Sequence, residues 1–348
     1  MKLTQTKALM EQKRSVQFLD SYAVLVGKGD QEVLITSPDV NDDTYFDIAS
    51  MGKVLHTATL ILRAVGEGLI TLDDPLTKFF ENVPEDKHQI TLRHLLTHTS
   101  GIVRFEFTEE VRKLNHDQVA ALILAAPLKY PTGTDYIYSC HGYLLLGFII
   151  EKLYGDRLDR VFYRLMAEPM GLSRSRFGIA VDEPNAAVCY YMPEPGHSRV
   201  AGNNTRMLED SVGGAGASFW SVRDIQTFTK AVLRRDPCLY PRELFDVAEH
   251  DYTPHYNEGR GIGWLMVDGR YHQTGDLFPD GSMGHCGNTG TSFFLNRENG
   301  LYAIILTNAT RRGYERMNWK GVNYDEICDM RAEIHNTILS DLKTAGML

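Results

Sequence analysis

Strand-like sequence stands at both ends of this chain, and a long helical stretch separates the two. Near the start, "YAVLVGKGDQEVLIT" (22–36) is two apolar runs about a Gly-Asp turn, the pattern of a β-hairpin. Far downstream, "GRGIGWLMV", "GSMGHCG", "TSFFLNRENG" and "LYAIILTN" return to strand character, with Asn299-Gly300 as a hairpin turn. Between them the apolar period lengthens. Val54, Leu55, Ala58, Ile61, Leu62 and Val65 fall on one face of a helix starting at Ser50. Further helices are expected at "TLRHLLTHTSG" (91–101, N-capped by Thr91), "NHDQVAALILAAP" (115–127) and the apolar "YSCHGYLLLGFIIEKLYG" (138–155). "GAGASFW" reads as another strand, "SVRDIQTFTKAVLRR" (221–235) as a helix, and residues 4–19 and 324–342 as terminal helices.

This order predicts an α/β (α+β) architecture. The two β parts form one antiparallel sheet with the terminal helices packed on it, and the helical middle is inserted between strands. At 348 residues the expectation is one unit over 1–348. Its sheet part is 1–48 with 206–348, its helical part 49–205, and a cleft between them is the natural place for a site.

Bulk properties exclude several classes of partner. The formal net charge of −9 gives no support for nucleic acid or an anionic membrane surface. The longest apolar run, "YLLLGFII" (143–150), is too short to span a bilayer. The first twenty residues carry no apolar core of a signal peptide. Five widely spaced cysteines (140, 189, 238, 286 and 328) with no CxxC pair read as reduced thiols, so a cytoplasmic protein is expected. Oligomeric state is left open.

Three short segments bear on chemistry. Ser50-Met51-Gly52-Lys53 sets a lysine three residues after a serine, so on a helix the amine can approach the hydroxyl. Serine needs an adjacent base, and a lysine whose pKa is lowered can act as one. A serine in the first turn of a helix also offers its own N–H to a developing oxyanion. "PTGTDYIYSC" (131–140) sets Tyr138 at the start of the apolar helix, where it could shuttle a proton. "GHCGNTGTSFFLN" (284–296) sets His285 on a strand whose glycines let a substrate approach. Taken singly, each also fits a plain structural role: a helix start, a packing aromatic, a hairpin turn.

Taken in order, they resemble the serine β-lactamase and penicillin-binding-protein superfamily, whose signature is S-x-x-K, a second polar element and K-T-G. The likeness is to its class C-like branch, which includes family VIII-type esterases and has Y-x-N in second place and often H-x-G in third. It covers nearly the whole chain. "TYFDIASMGKVLHTATLILRAVGEGLITLDDPLTKFF" resembles the family's nucleophile helix. "ITLRHLLTHTSGI", "PTGTDYIYS", "GGAGASFWSVRDIQTFTKAVL" and "MGHCGNTGTSFFLN" resemble further family elements.

The resemblance implies that Ser50 is the acyl-accepting nucleophile and that Lys53 and Tyr138 handle its proton. It implies that His285 sets the local electrostatics, that the N–H groups of Ser50 and Asn288 form the oxyanion hole, and that Cys140, Cys286 and Gly287 line the substrate. The chain departs from the pattern at Gly52 (commonly Thr), at Cys140 (the Asn of Y-x-N) and at Cys286 (commonly Thr). The missing Asn would hydrogen-bond a substrate amide, and Cys is a weak donor and acceptor. Losing that bond is worth roughly 0.5–1.5 kcal/mol, so esters are favoured over amides and β-lactams.

Other signals point nowhere. His94 and His98 lack the Glu of a zincin, so no metal is expected. No G-x-S-x-G elbow or phosphate loop occurs, and no cofactor is implied. His285 and Cys286 are strand neighbours on opposite faces and cannot form a dyad. "RRGYERMNWK" (311–320) reads as a solvated loop. The expected activity is that of a serine hydrolase acting on a small ester or amide through an acyl-enzyme. A β-lactamase, a D-amino-acid-specific peptidase and a non-catalytic penicillin-binding-like protein are the alternatives.

Overall fold

The computed structural model describes residues 2–103, 109–179, 183–187, 212–216, 218–270, 272–309 and 324–348. The basic run 311–320 and Cys189 lie outside them. The main sheet has seven antiparallel strands in the order β2-β1-β10-β9-β8-β7-β6. They are β1 (Tyr22–Lys28), β2 (Gln31–Thr36), β6 (Gly259–Arg260), β7 (Leu265–Val267), β8 (Ser282–Cys286), β9 (Ser292–Asn296) and β10 (Leu301–Thr307). The N-terminal hairpin closes on the last strand, from Tyr22 opposite Thr307 to Lys28 opposite Leu301. Both ends of the chain therefore share one sheet, as the sequence pattern predicts. Gly300 turns the β9–β10 hairpin at φ 68°, a conformation that favours glycine.

Both faces of the sheet are covered, which is why β1 is a continuous apolar run rather than an alternating one. Ala23 and Leu25 join the large core shared with the helical region, while Tyr22, Val24 and Val26 join the cluster on the other face. That second face carries the terminal helices α1 (Thr4–Ser15) and, numbered last, α11 (Tyr324–Thr344). Leu3, at the N-cap of α1, supplies no side-chain cap. Asp341 of α11 serves instead, accepting from the Gln5 and Thr6 amides at 3.0 and 3.0 Å.

The helical region comprises α2 (Thr59–Gly66), α3 (Leu92–Leu96), α4 (Glu109–Arg112), α5 (His116–Ala125), α6 (Cys140–Tyr154), α7 (Leu158–Phe162) and α8 (Glu168–Met170). Caps fix the boundaries. Thr91 with His94, and Asn115 with Gln118, form reciprocal capping boxes for α3 and α5. The Ser139 hydroxyl caps α6, and Gly155 ends it at φ 63°. Tyr138 thus stands just outside the helix. Two more helices, α9 (Val222–Leu233) and α10 (Glu243–Glu249), follow the region, and the large core runs through all of them to the sheet.

Two features differ from the sequence reading. "GAGASFW" does not enter the main sheet: Ser218–Trp220 (β5) pairs with Phe46–Asp47 (β3) and Ser175–Phe177 (β4) in a small separate sheet. The stretch from Ser50 is also not one regular helix. A 3₁₀ turn (Ala49–Met51) leads to a π-helical turn (Lys53–Ala58) before α2 begins. Periodicity over a few residues cannot separate these turns from an α-helix. Among the described residues no helix is long and apolar enough to cross a membrane.

Candidate active site

Ser50 sits where β3 gives way to the 3₁₀ turn, and its backbone is held from three sides. Ile48 N–H donates to Ser218 O (3.2 Å), Thr289 Oγ1 to Asp47 O (2.7 Å), and Ala49 N–H to Asp47 Oδ1 (2.8 Å). Ala49 lies at φ 46°, an uncommon conformation for a residue with a Cβ, costing on the order of 1–3 kcal/mol. The surrounding bonds hold this conformation directly before Ser50.

Lys53 is wholly buried, yet its amine is fully engaged. Nζ lies 3.0 Å from Ser50 Oγ, donates to Ala215 O at 2.8 Å and lies 3.5 Å from Cys140 Sγ. The π-helical turn sets the stem of Lys53 beneath the serine. Ala215 can reach it because Gly147 of α6 and Gly214 meet backbone to backbone: a Cβ on Gly147 would lie 3.1 Å from Gly214 Cα. Gly52 has an equally local cause. A Cβ there would lie 2.3 Å from His56 Nε2, so the absence of the family's Thr goes with a buried histidine one turn on. Burial, then the Lys53 charge, lowers the His56 pKa to about 3.

Tyr138 is half-buried among basic groups. Its ring lies 4.4 Å from the His98 ring, 5.0 Å from Lys53 Nζ, 5.4 Å from the Arg260 guanidinium and 6.3 Å from the His285 ring. His98 accepts from Ser139 N–H at Nδ1 (3.1 Å), and its carbonyl accepts from Ile137 N–H (3.0 Å), so it fixes the backbone on both sides of the tyrosine. His98 itself sits at φ 60°.

His285 closes the far side from β8. Its Nδ1 lies 2.8 Å from Cys286 O, an acceptor only, so Nδ1 carries the proton and Nε2 is left as an acceptor. That lone pair faces Arg260 Nη1 at 3.4 Å. Burial, followed by the charges of Arg260 and Lys53, holds His285 well below the usual imidazole range. It is neutral at pH 7. The cation at this corner is Arg260, which is buried, ion-paired to Glu258, and hydrogen-bonded to Tyr136 Oη at 3.0 Å. Sequence reasoning missed both Arg260 and the role of His98. A lone arginine inside the glycine-rich strand run "GRGIGW" was the available signal for the first.

The structure therefore brings Ser50, Lys53, Tyr138, Cys140 and His285 together, with Gly287 packed on the nucleophile turn. A Cβ at Gly287 would lie 2.6 Å from Ile48 O and 3.2 Å from Ala49 Cβ. Asn288 follows in the exposed turn after β8. Cys286 is a correction. Alternation along β8 turns its thiol to the face opposite His285, into the apolar cluster under the terminal helices, so only its backbone is at the site. Among the described residues no group of His, Cys, Asp and Glu could hold a metal ion.

The Beta-lactamase family model matches residues 7–323. Esterase EstB of Burkholderia gladioli is 28% identical over 326 residues, covering 79% of this chain and 80% of its own. A putative D-alanyl-D-alanine carboxypeptidase of Escherichia coli (strain K12) is 26% identical over 321 residues, covering 81% of this chain and 73% of its own. Among solved structures, a class C beta-lactamase in complex with cefoxitin superposes with TM-score 0.77 at 17% identity, covering 98% of this chain and 99% of that one, a likeness of fold.

Proposed function

The chain belongs to the beta-lactamase family and is a serine hydrolase, and on that footing we propose that it cleaves small carboxylic esters through an acyl-Ser50 intermediate. Lys53, with Tyr138, takes the proton from the Ser50 hydroxyl as the hydroxyl attacks the carbonyl carbon. The oxyanion is held by the Ser50 and Asn288 N–H groups. The same proton then passes to the leaving alkoxide. Water then gives its proton to the same pair as its oxygen attacks the acyl carbon; the bond from that carbon to Ser50 Oγ breaks, Oγ takes the proton back and the acid leaves. Neutral His285 contributes a fixed dipole, and Arg260 behind it contributes the charge.

The observation that carries the ester preference is Cys140. Where the family pattern has an Asn for a substrate amide, this chain offers a buried thiol 3.5 Å from Lys53 Nζ. A thiol is too weak a hydrogen-bonding group to hold an amide. The similarity to an esterase supports the same reading. A D-specific peptidase is the second reading, supported by the similarity to a putative carboxypeptidase. We place the enzyme in the cytoplasm because the four described cysteines are all free thiols.

The test sets purified protein against p-nitrophenyl acetate and butyrate, nitrocefin and D-alanyl-p-nitroanilide. Intact mass is recorded after a fluorophosphonate, for wild type and Ser50→Ala. The expected result is ester turnover well above the other two and a single adduct that vanishes in the variant. An adduct that persists in Ser50→Ala removes the nucleophile assignment. Faster turnover of the anilide installs the peptidase reading. No turnover of any substrate points to a binding protein that keeps the fold.

A further inference from the structure

Arg331 lies in α11, on the face of the sheet away from Ser50, and is wholly buried. Its guanidinium does not serve the terminal-helix cluster alone. Nη1 donates to Gly287 O at 2.9 Å and to Thr291 O at 3.3 Å, and Nη2 lies 3.6 Å from Cys328 Sγ. Gly287 is the residue packed on Ile48 and Ala49, directly before the nucleophile. Its carbonyl also accepts from Gly290 N–H at 3.1 Å.

The Gly287 carbonyl and the Asn288 N–H belong to one peptide group. The chain has no cis bonds among its described residues, so this group is planar and trans, with C=O and N–H pointing in opposite directions. A donor that pins the carbonyl toward α11 therefore turns the N–H away from α11. A cation bonded to the oxygen also draws electron density from the nitrogen, which makes the N–H a stronger donor. Preorganised donors of this kind dominate the stabilisation of oxyanions.

We propose that Arg331 is a positioning residue that fixes and polarises the Asn288 N–H for the oxyanion, and so ties the C-terminal helix to catalysis from behind the sheet. The proposal rests on the acyl-serine reading given above. Arginine suits the task because its rigid, planar guanidinium holds Nη1 between the Gly287 and Thr291 carbonyls while Nη2 rests on Cys328, whereas lysine offers a flexible point charge.

The experiment uses the full chain with Arg331→Met and Arg331→Lys. It records kcat and KM for p-nitrophenyl acetate, affinity for phenylboronic acid (which forms a tetrahedral adduct on serine) and the melting temperature. Removing an oxyanion donor outright costs on the order of 10²–10³-fold in kcat, so misplacing one is expected to cost roughly tenfold or more. Arg331→Met should lose that factor in kcat with KM within about threefold, and boronate affinity should fall in parallel. Arg331→Lys should recover part of both. If Arg331→Met does not fold, Arg331→Lys must still lose kcat and boronate affinity together. A folded variant with unchanged kcat, or a loss of kcat with boronate affinity intact, overturns the role. Selective ¹⁵N labelling of asparagine supplies a readout independent of turnover. The Asn288 amide proton should shift upfield in Arg331→Lys even if Ser50 proves not to be the nucleophile, and an unmoved resonance overturns the proposal.

Discussion

Along β8, Met283 and His285 turn toward the helical region, whereas Cys286 turns toward the terminal helices. The same strands thus present two unlike faces. Toward the helical region, Lys53, His56, His98, Arg260 and His285 are all buried within the same part of the molecule. Toward α1 and α11 the filling is apolar, and the buried polar groups are tied to frame positions: Asp341 to the start of α1, Arg331 to the turn after β8, His335 to the Ser292 hydroxyl at 3.3 Å. Burying charge is costly unless it is paired and hydrogen-bonded. Both faces bear that cost, one to hold a nucleophile, a base and a tyrosine in register, the other, through Arg331 and Asp341, to hold the frame still.

The largest effect of a single substitution on stability should come from removing the Arg260 charge on the catalytic face. Arg260→Met removes the ion-pair partner of Glu258, which keeps the Tyr136 hydroxyl as donor, and removes the donor to Tyr136 Oη. Breaking a buried ion pair costs about 3–5 kcal/mol, and about 3 is expected here because Glu258 keeps some solvent. Arg260→Met/Glu258→Gln should recover part of the loss. Urea unfolding of the four proteins of the cycle measures it, and a single-variant loss below about 1 kcal/mol would show that the cation is incidental.

Acid should separate the faces next. His56 and His335 are buried, each lowered to about 3, by burial first and then by Lys53 and Arg331 respectively. His98 and His285, on the catalytic face, are held well below the usual range by burial and by Arg260. In each case the folded pKa lies below the unfolded one, near 6.5. The stabilisation is therefore complete above pH 6.5 and lost as pH falls from there toward the folded value. At pH 5 His56 and His335 have each lost about 2 kcal/mol, and His98 and His285 lose stabilisation in the same direction. Melting from pH 7 to pH 5 should fall steeply, and His335→Leu should flatten only the smaller part of the slope, since three of the four histidines lie on the other face. A variant that removes most of the slope would reverse the comparison.

Local chemistry was legible in the sequence; which face a side chain takes and what approaches it from afar were not. Ser50 and Lys53 were readable because three residues of spacing are short enough to survive the 3₁₀ and π turns. Tyr138 and His285 were readable through turn and strand signals. Arg260 gains its meaning from a contact 124 residues away along the chain and His98 from one 41 residues away, which no local pattern encodes. Cys286 illustrates the opposite failure. Alternation along β8 was sufficient to turn its thiol away from His285, but the likeness to a substrate-lining motif pulled it into the site. The small β3-β5-β4 sheet escaped because pairing of two- and three-residue strands is set by the fold around them, not by their own sequence.

The smallest expected effect is the most informative about substrate. Cys140 is the first residue of α6, with its backbone set by the Ser139 cap, so its thiol can be exchanged without moving the tyrosine. Cys140→Ser keeps the size and strengthens the contact to Lys53, now 3.5 Å. Cys140→Asn adds the donor and acceptor that an amide substrate would use. One neutral hydrogen bond is worth roughly 0.5–1.5 kcal/mol, or three- to tenfold. On the ester reading, Cys140→Asn should raise kcat/KM for D-alanyl-p-nitroanilide by about that factor and leave p-nitrophenyl acetate within twofold, while Cys140→Ser changes both alike. If the anilide gains nothing while the wild type already turns it over well, the amide is held elsewhere in the cleft. The thiol would then be no mark of an esterase, and its place beside Lys53 would have to be explained by the base rather than by the substrate.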